Sequence, residues 1–172
     1  MDAKRAPGIA KIVTKYGLLQ GVVSSAVSIL STLAAIKPSW TGGVLTTALL
    51  VVLILLAHRE FKNTHNGVMA YGEGLWSGTL LSMIAAVVSA VLFYAYVRYI
   101  NTNFFVTAIR AQQALLEQRG ISGAQAQQAM GIVGAVMTPV GIAVSSLISG
   151  LVVGFVVALI VSIFTQSATA RS

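Results

Sequence analysis

The fold of this chain is decided by residues 140–164, VGIAVSSLISGLVVGFVVALIVSIF, which contain no charged side chain. A helix needs about 20 consecutive apolar residues to cross the hydrocarbon core of a bilayer, and this stretch is long enough. Three further uncharged apolar stretches precede it, at residues 16–36, 40–57 and 75–96. The sequence therefore predicts an all-α, polytopic membrane protein with four transmembrane helices.

The composition agrees with a bilayer as the solvent for most of the chain. Hydrophobic residues make up 56% of the 172 residues and charged residues only 9%, whereas soluble domains carry about 25% charged residues. Four crossings leave room for one sizeable segment outside the membrane, so residues 1–172 are expected to form a single membrane domain. The absence of cysteine excludes disulfide bonds, thiolate metal sites and thiol catalysis.

The basic residues predict the orientation of the chain. Eleven lysines and arginines stand against four acidic residues, and they are spread over the ends of the apolar stretches. This distribution argues against a nucleic-acid partner and for lipid headgroups as the surroundings of these charges. If the N-terminus is cytoplasmic, most of the basic residues lie on the cytoplasmic side of the membrane, namely Lys4, Arg5, Lys11, Lys15, Arg59, Lys62 and Arg171. The positive-inside rule then favours cytoplasmic termini, a basic cytoplasmic tail over residues 1–15 and an extracytoplasmic segment over residues 101–138.

The segment 101–138 is more polar than the rest. Residues 103–119 predict an amphipathic helix, and Gly120 is suited to end it. Ser122 with Gln125 fits a capping box at the start of a second helix. The pattern permits this second helix to run unbroken into the last crossing, with Pro139 as a kink. We therefore expect an extracytoplasmic, amphipathic helical hairpin between the third and fourth transmembrane helices.

The second transmembrane helix is predicted over residues 41–57, followed by a polar loop over residues 58–66. His58 and His65 lie two helical turns apart, which is one way to arrange a metal pair. No further ligand set of familiar spacing accompanies them. A solvated loop beside anionic headgroups is the favoured interpretation.

Small residues recur at four-residue spacing in three of the apolar stretches. In a bilayer, helices associate through close packing, which small residues permit. The pattern predicts helix packing within one chain, and its alternative is a contact with another subunit. The residues concerned are the pairs Gly17 and Gly21, Gly74 and Gly78, and Gly150 and Gly154.

Glu73 is the one acidic residue placed close to a membrane helix, and it is the candidate functional acid. A carboxylate inside a membrane is expensive and often marks an ion or proton pathway. The alternative is structural, because a negative charge at a helix N-terminus interacts favourably with the helix dipole. The structural role is the favoured one.

Motifs of enzymes do not occur in the chain. There is no nucleotide-binding P-loop, no G-x-S-x-G nucleophile motif and no H-E-x-x-H zinc motif. No predicted crossing contains an acid–base pair. We therefore expect a protein that is not an enzyme, with no cofactor and no metal.

Five short motifs, in this order and spacing, carry a resemblance to a known family. They are KYGLLQG at 15–21, AYGEG at 70–74, YINTNF at 99–104, GIS at 120–122 and MTP at 137–139. The chain resembles the small bacterial four-helix membrane proteins catalogued as domain of unknown function number 4199. The resemblance implies a four-helix fold in the bacterial inner membrane and no particular activity. Relatives carry more acidic residues where this chain has Gln125, Gln127 and Gln128, which argues against cation binding there.

Two functions follow as hypotheses. The leading one is a non-enzymatic accessory subunit, or a self-assembling interaction scaffold, of a membrane complex. Its partners would be the lipid bilayer and either a membrane protein or further copies of the chain. The alternative is a small transporter or channel that uses Glu73.

Overall fold

The computed structural model describes residues 8–34, 40–65 and 67–167, and every regular element within them is a helix. Four of these helices are long and apolar enough to cross a membrane. The predicted all-α fold with four long apolar helices is thereby confirmed. In chain order the helices are α1 (Ile9–Leu33), α2 (Trp40–Thr64), α3 (Tyr71–Tyr99), α4 (Phe104–Gln118), α5 (Gly123–Val136) and α6 (Pro139–Thr165).

The long helices alternate in direction along the chain, and α3 is the central one. Lys15 of α1 contacts Glu60 of α2 and Gln20 of α1 contacts Thr46, so these two helices are antiparallel. The most extensive packing is that of α3 with α6 and with α1. Within this arrangement α3 runs parallel to α1 and antiparallel to α6.

The apolar core lies at one end of the bundle, which we call the turn end because residues 65–70 join α2 and α3 there. The opposite end, where α4 and α5 lie, we call the α4–α5 end. At the turn end the four long helices bury apolar side chains against one another, and this close packing stabilises the bundle. The core consists of Ile12, Val13, Leu50, Ile54, Ala57, Phe61, Met69, Leu81, Val157 and Val161.

Helix α2 is longer than predicted. It continues past Ala57 to Thr64, so the predicted loop over residues 58–66 is wrong for residues 58–64. The reason is amphipathicity: His58 and Phe61 are buried while Arg59 between them is exposed. The charged residues of this stretch therefore sit on the outer face of a helix whose inner face completes the core.

Helices α4 and α5 stand outside the core, because neither contains a buried residue. As predicted, α4 ends just before Gly120, whose φ of +70° is a left-handed conformation that glycine adopts easily. Ser122 occupies the N-cap position of α5, but its side chain makes no capping hydrogen bond. The predicted capping box of Ser122 with Gln125 is therefore wrong.

Pro139 starts a new helix and does not kink a continuous one. Helix α5 ends at Val136, and Thr138 adopts an extended conformation in which its side chain accepts a hydrogen bond from the Gly141 N–H. The residue before a proline avoids the helical conformation. Proline itself suits the first helical position, where no N–H is needed. The unbroken helix that the sequence permitted is therefore wrong, for a reason local to these residues.

Candidate functional site

Helices α3 and α6 meet along a line of small residues that we call the α3–α6 seam. A Cβ atom on Gly78 would lie 2.7 Å from Cβ of Ala158, and one on Gly150 would lie 2.9 Å from Cβ of Ala86. Side chains cannot approach so closely, so these backbones come together only because glycine lacks a Cβ. The facing pairs, each one helical turn from the next, are Gly74 with Ser162, Gly78 with Ala158, Ser82 with Gly154, and Ala86 with Gly150.

A second close contact joins α1 to α3. A Cβ atom on Gly17 would lie 2.9 Å from the Leu81 carbonyl oxygen, and one on Gly21 would lie 2.6 Å from Cβ of Val88. The Gly21 carbonyl also accepts a hydrogen bond of 2.9 Å from the Ser89 hydroxyl. The structure thus brings all six glycines singled out from the sequence into contacts between helices of one chain.

Glu73 lies in the first turn of α3 and is exposed. One of its carboxylate oxygens accepts a hydrogen bond of 2.8 Å from the Ala70 N–H. A carboxylate at this position satisfies a free backbone donor and interacts favourably with the helix dipole. The contact is a capping interaction at the turn end of the bundle.

His58 is buried where α2, α3 and α6 meet, with 1% of its surface exposed. Its Nε2 lies 3.0 Å from the Gly74 carbonyl oxygen, which requires an N–H donor there. Its Nδ1 lies 2.7 Å from the Thr165 hydroxyl. The imidazole therefore ties three transmembrane helices together through hydrogen bonds, in surroundings where unpaired polar groups are costly.

Glu60 joins α2 to α1. A single carboxylate oxygen accepts hydrogen bonds of 2.7 Å from the Lys15 ammonium and from the Tyr16 hydroxyl. The Lys15 side chain is 60% exposed, so the ion pair is of the surface type and weak by itself. It joins α1 to α2 at the turn end.

A cavity of about 1010 Å³ occupies the α4–α5 end, between the second half of α1, the first half of α2, and α3 and α6. Apart from the amide of Gln20, its lining side chains are apolar or carry hydroxyl groups, and none of them is charged. Glu73 is not among them. The packed core closes the cavity at the turn end, since Ile54 and Leu81 are fully buried there. Hydroxyl groups reach the cavity from all four long helices, for example Ser28, Thr46, Ser89 and Ser146.

Gln20 is the most polar side chain of this cavity. It is 5% exposed, and its Nε2 donates hydrogen bonds to the Ser24 hydroxyl and the Thr46 carbonyl, at 3.1 and 3.2 Å. Its Oε1 has no hydrogen-bond partner among the described residues. Buried amide oxygens normally have a partner, so Gln20 marks an unsatisfied polar point next to the cavity.

No group of three or more histidine, aspartate or glutamate side chains could hold a metal ion within residues 8–34, 40–65 and 67–167. His65 does not face the buried site of His58. Its ring stacks on Phe61 at a centroid distance of 4.0 Å, and it is exposed. The expectation that both histidines lie in a solvated loop is therefore wrong for His58.

The model of one protein family matches residues 15–167, and its description is "Protein of unknown function (DUF4199)". The chain belongs to DUF4199. This membership confirms the resemblance carried by the five motifs. No curated protein and no solved structure matches the chain.

The sequence reasoning did not predict the structural roles of two residues of this DUF4199 protein, and both lie beyond the predicted end of the second helix. His58 and Glu60 are polar and follow an apolar stretch, a pattern that is typical of a loop. The signal that could have revealed them is the apolar Phe61, which extends the buried face of α2 by one turn.

Proposed function

We propose that this protein is a non-enzymatic accessory subunit of a membrane complex, and that α4 and α5 contact the partner. The observation that carries the proposal is that neither of these helices has a buried residue, although both are regular. Apolar side chains on them are exposed: Leu115 at 43%, Ile132 at 64% and Val136 at 40%. Exposed apolar groups outside the hydrocarbon are common at protein contacts.

The occupied glycine pairs favour an accessory subunit over a self-assembling scaffold. A scaffold built from small-residue stripes needs a stripe that faces outward. In this chain Gly17, Gly21, Gly78, Gly150 and Gly154 each face another helix of the same chain. Replacing Gly150 and Gly154 by isoleucine would therefore disturb the fold of the chain itself, and it does not isolate a subunit contact.

We further propose that the protein lies in a bacterial cytoplasmic membrane with both termini in the cytoplasm. The basic residues near the turn end and the N-terminal tail support this orientation. Large apolar side chains exposed along α6, such as Val140, Ile148 and Phe164, suit contact with lipid. In this orientation α4 and α5 form the extracytoplasmic hairpin that the sequence predicts.

Purification of the natively expressed protein in a mild detergent, followed by mass spectrometry, tests the accessory role. We expect a second membrane protein in stoichiometric amount. The double variant L115Q/I132Q should lose it, because polar groups replace the exposed apolar contacts. The control is Q112A, which changes an exposed polar residue of α4 and should retain the partner protein. Recovery of this chain alone, or equal recovery of the partner with all variants, would contradict the proposal.

A small transporter or channel is the second candidate, and the cavity supports it. A continuous path would have to cross the packed core at the turn end, where Ile54 and Leu81 are buried. The test is proton flux into proteoliposomes that enclose a pH-sensitive dye. If the protein carries protons through Glu73, flux appears with the wild type and disappears with E73Q. Absence of flux with the wild type counts against this candidate, and unchanged flux with E73Q eliminates Glu73 from it.

A further inference from the structure

The cavity at the α4–α5 end has the size of a ligand site. Its volume of about 1010 Å³ lies at the upper limit of small-molecule pockets, which range over roughly 300–1,000 Å³. It is bounded by the four long helices and the start of α4, and it is closed at the turn end by the core. The cavity is open to its surroundings elsewhere, since lining residues such as Leu45, at 61%, are exposed.

The lining selects an uncharged ligand. No lysine, arginine, aspartate, glutamate or histidine side chain contributes to it. A charged group moved into such a place would lose its hydration without meeting a counter-ion, which is strongly unfavourable at low dielectric constant. Fatty acids and phosphate-bearing lipids are therefore poor ligands for this cavity.

The lining also favours a ligand with a hydroxyl group. Many of the cavity's own hydroxyls already donate to carbonyls of their own helix, such as Ser28 to Ser24 and Thr46 to Gly42. Their oxygens remain able to accept a hydrogen bond. The unpartnered Oε1 of Gln20 is a further acceptor. This oxygen is covered, so it accepts from a ligand only when the broad terminal torsion of glutamine turns it outward, which exchanges the Nε2 hydrogen bonds to Ser24 and Thr46 for a bond to the ligand.

The remaining wall suits a hydrocarbon chain. Phe93 of α3 and Phe104 and Phe105 at the start of α4 line one side, in edge-to-face pairs with centroid distances of 5.5 Å. Leu45 and Val153 add aliphatic surface. The ligand therefore needs an apolar body in addition to its donor group.

We infer that this cavity binds a neutral lipid that has a free hydroxyl group and a hydrocarbon chain, and we take the monoacylglycerols as its class. The hydroxyls of the ligand donate to Gln20 and to serine and threonine oxygens. Its chain packs against the phenylalanines. The inference does not depend on the accessory role, because it concerns the inside of the bundle and not the outer faces of α4 and α5.

The test uses the full-length protein in phosphatidylcholine nanodiscs and a monoacylglycerol that carries a photoreactive diazirine in its chain. After irradiation, mass spectrometry measures labelling and locates it. We expect labels on peptides that line the cavity. Unlabelled monoacylglycerol should compete at least tenfold more strongly than lysophosphatidic acid, which is charged, or hexadecane, which has no hydroxyl.

The chain offers a matched pair of variants. Ser145 and Ser146 are adjacent and both exposed, but only Ser146 lines the cavity. S146L should reduce labelling at least fivefold because its side chain enters the cavity, whereas S145L should label like the wild type. Q20L should also reduce it, and thermal unfolding of each variant shows whether the fold persists.

Two outcomes overturn the inference. Equal labelling of S145L and S146L would show that the lipid only partitions into the nanodisc. Equal competition by lysophosphatidic acid would show that the site does not select a neutral ligand. If Q20L does not fold, the serine pair decides alone.

Discussion

At the scale of single residues, burial within the membrane bundle changes what a polar side chain does. A histidine after an apolar stretch is typical of a loop. His58 is nevertheless 1% exposed, and it contacts a carbonyl of α3 and a hydroxyl of α6. In water these hydrogen bonds would compete with solvent. In a bilayer there is no such competitor, so the partners depend on one another.

We predict that H58L lowers the free energy of unfolding by about 1–3 kcal/mol, because the Gly74 carbonyl and the Thr165 hydroxyl lose a buried partner. Reversible unfolding in mixed detergent micelles measures the change. The control is H65L, because His65 is exposed, and its effect should be much smaller. Equal effects of the two variants would contradict the structural role of His58.

At the scale of elements, the α3–α6 seam pairs two helices in a single register. Gly74, Gly78, Ser82 and Ala86 of α3 meet residues of α6 one helical turn apart. A shift by one residue would turn larger side chains into the contact. The regular spacing on both helices therefore specifies the register as well as the closeness of the pair.

A cysteine cross-link tests this register, and the natural chain has no cysteine to interfere. We predict that A86C/G150C forms a disulfide on mild oxidation, because the two Cβ positions lie 2.9 Å apart and a small adjustment reaches the required separation of about 3.8 Å. The protein is cleaved between α3 and α6 and analysed by electrophoresis with and without a reductant. The two fragments stay together without the reductant if the bond has formed.

The matched control is A86C/I142C. Position 142 lies eight residues from position 150, about 12 Å along the helix axis, which is beyond the reach of a disulfide. A bond in this control and none in A86C/G150C would contradict the antiparallel register.

At the scale of the whole molecule, the bundle is packed at one end and hollow at the other. The core residues come from the first part of α1, the second part of α2, the first part of α3 and the end of α6, with Met69 of the turn between α2 and α3. The cavity is lined by the complementary parts of the same helices. The candidate functional acid, Glu73, and the cavity therefore belong to opposite ends of the molecule.

Orientation in the membrane is a property of the whole chain, and alkaline phosphatase fusions measure it. The enzyme is active only outside the cytoplasm. We predict an active fusion after Gln113, in α4, and an inactive fusion after His65, at the turn end. The reverse pattern, with both fusions expressed normally, would contradict cytoplasmic termini.

How much could be predicted from the sequence depended on how local each feature is. The family motifs and the line of glycines were recognisable, but which helix each glycine faces was not. Gly150 contacts Ala86, and neither stretch of sequence predicts that the other is its partner. The same holds for His58, whose partners lie on helices far away along the chain.

The sequence by itself determined that this is a membrane protein with four long helices, because the length and hydropathy of a stretch decide its transfer into a bilayer. It also determined the end of α4, because the conformation of Gly120 is local. Only the tertiary structure decided the helix partners, the burial of His58 and the cavity around Gln20. The physical reason is that packing depends on which distant residues approach, and a bilayer adds no hydrophobic drive that would mark those faces in the sequence.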